Sequence, residues 1–472
     1  MEAAAATPAP HVLVIPFPAQ GHALPLLDLT ALLAVRGLRL TVVTTPGNLP
    51  LLSPRTPPPS PPSPSRSPPT RPSHRAREHQ GLRPGAVPGL HPRVRRAPRA
   101  GPRVGEVAIR PRRGRHRRLL LRMGADARRR SRHPWVRLLA VRRPRHRRPS
   151  LDVPSPGQRP AGSDDEEFRI KFPALPGEPE FQWRENLLMY RNYMEGRLDE
   201  QIGESIRQNF LWNLESSRGF VSNTLRALEG RYLDTPLEDL GFRRVWAVGP
   251  VAPETDASGA RGGEAAVAVA DLSSWLDAFP EGSVVYISFG SQAVLTPAVA
   301  AALAEALERS AVPFVWVVGA VNGGVVPEGF EARAAAAARR GMVVRGWAPQ
   351  VAALRHAAVG WFVTHCGWNS TMEAVAAGVP MLAWPMTGDQ FVNARLLVDE
   401  ARVAVRACAG GVGVAPDAGE LAAVLADAVG EKGRDVAAHA KELAAEAARA
   451  VKEGGSSYAD LEGFVKEIQK LS

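Results

Sequence analysis

Apolar runs of strand length recur through the second half of the chain, each followed by a stretch with helical spacing, and few folds accommodate that alternation. The runs are SVVYISFGS (283–291), FVWVV (314–318), GMVVRGW (341–347), GWFVTHC (360–366) and MLAWP (381–385). They are rich in β-branched and aromatic side chains and lack the polar alternation of a strand with one wet face. Between the first two, Thr296 and Pro297 suit the N-cap and first position of a helix whose apolar face holds Val299, Leu303 and Leu307. Strands covered on both faces and joined by helices build a parallel, doubly wound sheet. Its ligand crevice lies at the carboxyl ends of the strands.

The N-terminal stretch opens the same way. HVLVIPFP (11–18) reads as a buried strand, AQGH (19–22) as a turn, and Leu24 to Val35 as a helix ended by Gly37, with LRLTVVTTP as the next strand. The pattern stops near Leu52 and resumes near Asp164. Glu185 to Asn213 reads as helical, FVSNTLRALEGRYLD (220–234) as a strand entering a helix, and VWAVGP (245–250) leads into the Gly/Ala-rich ETDASGARGGEA. The expected organisation is a Rossmann-like domain over 1–248, a linker over 249–265 and a second Rossmann-like domain over 266–455. An amphipathic helix over 456–472 follows, with Leu461, Phe464, Val465, Ile468 and Leu471 on one face.

The formal net charge of +12 over 472 residues suggests a nucleic-acid partner until it is mapped along the chain. Residues 53–163 hold 29 arginines, no lysine, four acidic residues and 22 of the 43 prolines, with one Ile, one Trp and no Phe or Tyr. The remaining 361 residues carry 30 basic and 43 acidic side chains. Such an Arg/Pro-rich segment cannot bury enough apolar surface to offset chain entropy, so disorder is expected. Arginine without lysine, mixed with Pro, Ser, Gly, Ala and His, is also what GC-rich coding DNA gives when read out of frame. Nucleic-acid association through this segment is the lesser reading.

Two cysteines, Cys366 and Cys408, cannot form a disulfide framework, which points to a reducing compartment. No run of 18 apolar residues is present, and the first residues lack the basic region of a secretory signal. A soluble, cytoplasmic protein without a membrane span is expected.

The chemistry concentrates between Trp347 and Gln390, which begins WAPQ, passes through THCGWNSTMEA and ends WPMTGDQ. His365 and Cys366 close a strand, Gly367 permits a tight turn, and Trp368-Asn369-Ser370-Thr371 begin a helix. Unpaired N–H groups and a partial positive charge at a helix N-terminus suit an anionic diphosphate without need of lysine. Glu373, one turn beyond Asn369, can accept hydrogen bonds from ribose hydroxyls. Trp347 offers a stacking surface for a planar base, and Asp389 and Gln390 carry groups suited to sugar hydroxyls. Trp361 and Trp384 read as core aromatics, Cys366 as a small buried filler and Asp28 as a polar residue on a helix face.

This 44-residue box resembles the signature of plant family 1 UDP-dependent glycosyltransferases, the flavonol and phenolic O-glucosyltransferases in particular. FPAQGH around His22, VWAVGP and Phe289-Gly290-Ser291 match the same family. The resemblance covers roughly residues 8–52 and 165–472. It implies a GT-B fold of two Rossmann-like domains, with the C-terminal one holding the donor and the final helix crossing back onto the first. It further implies that Trp347 stacks on uracil while Ala348 and Gln350 complete the nucleoside pocket. Glu373 holds the ribose, and His365, Gly367, Asn369, Ser370 and Ser291 hold the diphosphate. Trp368, Asp389 and Gln390 read the sugar, with Gln390 leaning toward glucose. His22 is the implied catalytic base, for an inverting transfer from UDP-glucose to a small phenolic or flavonoid acceptor with no metal or other cofactor. The aspartate that orients this histidine in the family falls inside the anomalous segment, where neither Asp126 nor Asp152 follows a convincing strand. An interrupted N-terminal domain leaves one alternative, a protein that binds UDP-sugar but is catalytically impaired.

Overall fold

The computed structural model describes residues 10–17, 20–52, 165–172, 176–186, 219–234, 245–251, 265–319, 325–336 and 340–470, the short strands at 105–107, 119–122, 136–137 and 140–141, and isolated positions between 191 and 208. In the N-terminal half β1 (His11–Ile15) lies parallel to β2 (Arg39–Thr44) on one side and to β4 (Leu119–Arg122) on the other, and β3 (Gly105–Val107) runs antiparallel to β2. A two-stranded antiparallel pair joins β5 (Val136–Arg137) to β6 (Ala140–Val141). These strands fall within 53–163; the expectation of disorder or a shifted frame otherwise concerns residues outside the described ones, as do Asp126, Asp152 and most of the linker. Further along, β7 (Arg169–Lys171) and β8 (Glu180–Gln182) form an antiparallel hairpin, and β9 (Phe220–Ser222) pairs in parallel with β10 (Val245–Ala247).

The helix after β1 begins earlier than its sequence implies. It spans Gln20–Val35, with Pro25 inside it, so His22 sits in the first helical turn and not in a preceding loop. Gly21 and Pro25 both disfavour a helix interior, yet so near the start Pro25 removes only one hydrogen bond, to the Gly21 carbonyl. Behind that turn, Leu24, Leu26, Leu27, Leu29 and Leu33 are buried, and this apolar face holds the helix on the sheet.

The C-terminal half is one six-stranded parallel sheet built from β11 (Val284–Ser288), β12 (Phe314–Val318), β13 (Gly341–Arg345), β14 (Val359–Thr364), β15 (Met381–Ala383) and β16 (Ala404–Arg406). Its spatial order is β13-β12-β11-β14-β15-β16. The direction of winding reverses between β11 and β14, where a doubly wound sheet opens its crevice. Each face is covered. Val285, Ile287, Trp316, Trp361, Trp384 and Leu303 pack on one side, and Tyr286, Val315, Phe362, Met372 and Leu397 on the other. Thr296 caps the Pro297–Ser310 helix, accepting from the Val299 N–H, with Pro297 at its start.

The final helix, Ser456–Gln469, lies against the N-terminal half. Leu461, Phe464, Val465 and Ile468 share one buried cluster with Val12, Val14, Leu33 and Trp246. Polar contacts fix its register. The Ser457 hydroxyl donates to the Gly249 carbonyl at 2.6 Å, Asp460 accepts the Ala247 N–H at 3.0 Å, and Arg36 pairs with Glu462 at 2.6 Å. Among the described residues, no helix is long and apolar enough to cross a membrane.

Candidate active site

A cavity of about 1310 Å³ lies over the carboxyl ends of β11, β13, β14 and β15 and reaches across to the helix that carries His22. Its floor is the switch point. After β11 the chain turns through Phe289-Gly290-Ser291, and after β14 through His365-Cys366-Gly367. The strand ends at Thr364 and not at Cys366, because Cys366 stands at φ 61°, a left-handed conformation no strand can contain. Gly367 then serves as the N-cap of the Trp368–Ala377 helix, which has no acidic residue in its first turn. Its leading N–H groups therefore face the cavity with no side-chain cap or carboxylate competing for them. A Cβ at Gly367 would collide with the His365 ring, and one at Gly290 would stand 2.7 Å from it. Two glycines thus admit the imidazole between the two turns.

Glu373 is 5% exposed in the wall of the cavity. Gln350 donates to its Oε2 at 2.7 Å and to the Ser370 hydroxyl at 3.1 Å, while Asn369 donates to its Oε1 at 3.0 Å. The carboxylate is held by neutral amides, an arrangement that keeps its charge available to further hydroxyl donors. Above it, Trp347 follows β13, and its carbonyl accepts the Ala266 N–H at 2.7 Å.

At the other end of the cavity Gln390 uses its Oε1 to accept the N–H groups of Met386 and Thr387, at 2.9 and 3.1 Å. Its amide nitrogen is left as the group that can reach a ligand. Asp389 is exposed to the cavity, and its Oδ2 accepts from Asn393 at 2.9 Å. The Trp368 indole N–H does not point at ligand space: it donates to the Asn223 carbonyl in the N-terminal half, at 2.7 Å. A sugar contact made through that N–H would have to break this bond between the halves.

Burial holds the His365 imidazole down at about 4, against the opposing pulls of Asp389 and the Ser288 backbone. It is neutral at pH 7 and offers a hydrogen bond to an anion, not a charge. Cys366, fully buried, has its thiol pushed up to about 12, which leaves it inert as a nucleophile. His22 is exposed on the opposite wall, its ring edge-on to Phe17 with centroids 5.1 Å apart.

His22, Ser291, Trp347, Ala348, Gln350, His365, Gly367, Trp368, Asn369, Ser370, Glu373, Asp389 and Gln390 all line this one cavity. Val221, Ser222 and Asn223 line it as well, with Leu24, Pro25 and Leu29. Phe181, Gln182 and Arg184 instead border a separate cavity of about 580 Å³ against Phe391 and Arg395. Sequence reasoning missed Asn223 and Asn393. Only the second left a trace, its place one turn beyond Asp389. Trp361 and Trp384 are core residues, 3% and 0% exposed, and Asp28 is buried at 8%. Among the described residues, no three metal-ligating side chains converge.

The family model for UDP-glucoronosyl and UDP-glucosyl transferase matches residues 242–411. The chain is 39% identical to flavonol 3-O-glucosyltransferase UGT89B1 of Arabidopsis thaliana over 98% of its own length and 96% of that protein's. It is 37% identical to UDP-glycosyltransferase 89B2 of Stevia rebaudiana, covering 97% of each. The crystal structure of Arabidopsis thaliana UGT89C1 complexed with UDP-L-rhamnose superposes with a TM-score of 0.58 at 27% identity, over 98% of this chain and all of that one. Shared sequence across nearly the whole length, and a shared two-domain α/β architecture of GT-B type, show that the chain belongs to the plant UDP-glycosyltransferases, enzymes that move a sugar from a UDP donor to a small molecule.

Proposed function

We propose that this glycosyltransferase moves glucose from UDP-glucose to a hydroxyl of a small phenolic acceptor, a flavonol first of all, with inversion at the anomeric carbon. The observation that carries the reading is one cavity with donor-type groups on the C-terminal wall and His22 on the facing wall. In this reading Trp347 stacks on uracil beside Ala348 and Gln350, and Glu373 takes the ribose hydroxyls. The first turn of the Trp368 helix, with Gly367, Asn369, Ser370, His365 and Ser291, receives the diphosphate. Asp389 and Gln390 address the sugar, and Trp368 closes that end while bonded to Asn223. The acceptor lies against Leu24, Pro25, Leu29 and Val221, an apolar wall suited to an aromatic ring system.

His22 removes the proton from the acceptor hydroxyl as its oxygen attacks C1 of the sugar. The bond from C1 to the diphosphate oxygen breaks on the opposite face, and UDP departs with the electron pair. Charge gathering on its terminal phosphate is met by the helix dipole and the N–H groups of the first turn. The leaving group is thereby stabilised by groups of the chain itself, and no metal or other cofactor enters the proposal. Unpaired Cys366 and Cys408 suit a reducing, cytoplasmic setting.

The name of the Arabidopsis flavonol 3-O-glucosyltransferase supports the glucose and flavonol assignments, and the UDP-L-rhamnose complex supplies the competing donor. The test is transfer from UDP-glucose and UDP-L-rhamnose, in parallel, to a panel of flavonols and simple phenols. Glucoside formation is the expected outcome. Rhamnoside alone would overturn the donor assignment, and UDP binding without any transfer would favour the impaired-enzyme alternative. His22→Ala is expected to lower kcat by about 10²–10⁴-fold while leaving the affinity for UDP unchanged.

A further inference from the structure

Asn393 is a buried amide, 8% exposed, on the helix Gln390–Arg395 that follows Asp389. An amide nitrogen has two N–H groups, and both are engaged here. Asn393 Nδ2 donates to Asp389 Oδ2 at 2.9 Å and to the Cys366 carbonyl at 2.9 Å. The two acceptors belong to different parts of the site. Asp389 stands at the sugar end of the cavity, and Cys366 belongs to the turn that leads into the diphosphate helix. Cys366 also holds the left-handed φ of 61° that costs a residue with a Cβ.

We propose that Asn393 is a positioning residue for sugar recognition, whose single amide fixes the Asp389 carboxylate relative to the Cys366-Gly367 turn. With Oδ2 occupied, the exposed Asp389 presents Oδ1 to the sugar in one orientation. The distance from diphosphate turn to carboxylate is then set by a hydrogen-bonded bridge and not by the rotamer freedom of an exposed side chain. The identity of the residue follows from the acceptors. Aspartate would turn a second carboxylate on Asp389 and on a carbonyl oxygen, leucine has no donor, and serine offers a single O–H donor on a shorter side chain where two N–H groups are in use.

This inference rests on the reading of Asp389 as a sugar ligand, and its test separates the two. Steady-state kinetics with UDP-glucose and calorimetry with UDP, which has no sugar, are measured for Asn393→Ala, Asp389→Ala and the double variant. Asn393→Ala is expected to raise KM for UDP-glucose by roughly tenfold, the scale of one hydrogen bond to a charged group, with the affinity for UDP within about twofold of the parent. In the Asp389→Ala background the same substitution is expected to add almost nothing, since its effect is exerted through that carboxylate. Equal losses for UDP and UDP-glucose, or effects that simply multiply in the double variant, would overturn the positioning role. An Asp389→Ala enzyme that handles UDP-glucose normally would overturn the reading of Asp389 and this inference with it. If Asn393→Ala does not fold, Asn393→Leu, which fills the buried volume but has no donor, carries the same comparison with the same outcomes.

Discussion

At the scale of single residues the site works by placing unlike groups in one wall and letting their surroundings decide their charge. Glu373 is held by the amides of Gln350 and Asn369, and in the proposed reading ribose hydroxyls join them to complete its shell. Glu373→Ala should weaken UDP binding by about 1.5–3 kcal/mol, readable by calorimetry. His365 is held neutral in the fold, with its pKa down at about 4 from an ordinary 6.5. Its contribution to stability is complete above pH 6.5 and is lost as the pH falls through about 4, because protons bind the unfolded chain first. The loss is on the order of 3 kcal/mol, and it should appear in urea titrations as a fall in midpoint between those pH values that His365→Gln flattens. Most of these residues were legible because they crowd into 44 consecutive positions whose types match their chemistry. Asn223 was not, since it acts on Trp368 through its backbone carbonyl, which no residue type encodes. Asn393 hid for a related reason: one of its two partners, Cys366, lies 27 residues away.

Elements carry the next layer of the design. Five of the six strands of the C-terminal half were readable, FVWVV matching Phe314–Val318 to the residue, because double-sided burial leaves an uninterrupted apolar run; the short β16, Ala404–Arg406, was missed. Where local signals conflicted, packing decided. Glycine and proline argued against a helix at His22, yet the buried leucine face behind it starts the helix at Gln20. The cap at Thr296 was plain from Thr-Pro alone, and Thr296→Ala should cost about 1 kcal/mol in chemical denaturation, since it removes the acceptor for the Val299 N–H. Gly290 has a different task. It stands at φ +75° with the His365 ring beside it, so Gly290→Ala should both destabilise the fold by about 1–2 kcal/mol and weaken UDP binding as the imidazole is displaced. A substitution that altered stability alone would show that the ring had room to move.

For the molecule as a whole, the parallel, doubly wound sheet and the two-domain plan followed from strand–helix alternation, and the strand order did not. Nor did the four short strands β3, β4, β5 and β6, since arginine-rich text of that composition carries no periodic signal. Long-range closure depends on the last helix. Phe464 is fully buried against Trp246, with ring centroids 5.3 Å apart, and Phe464→Ala should cost about 3–5 kcal/mol, measured as the urea midpoint of the full chain. Because Arg36 and Glu462 are partners 426 positions apart, β1 and the helix behind it meet the last helix only after all the residues between them have been translated. Until then Val12, Val14 and Trp246 remain open on one side, so chaperone demand in the cell should track the time needed to finish synthesis, and a premature stop codon before Leu461 should leave a nascent product prone to aggregation even though its six-stranded sheet is complete.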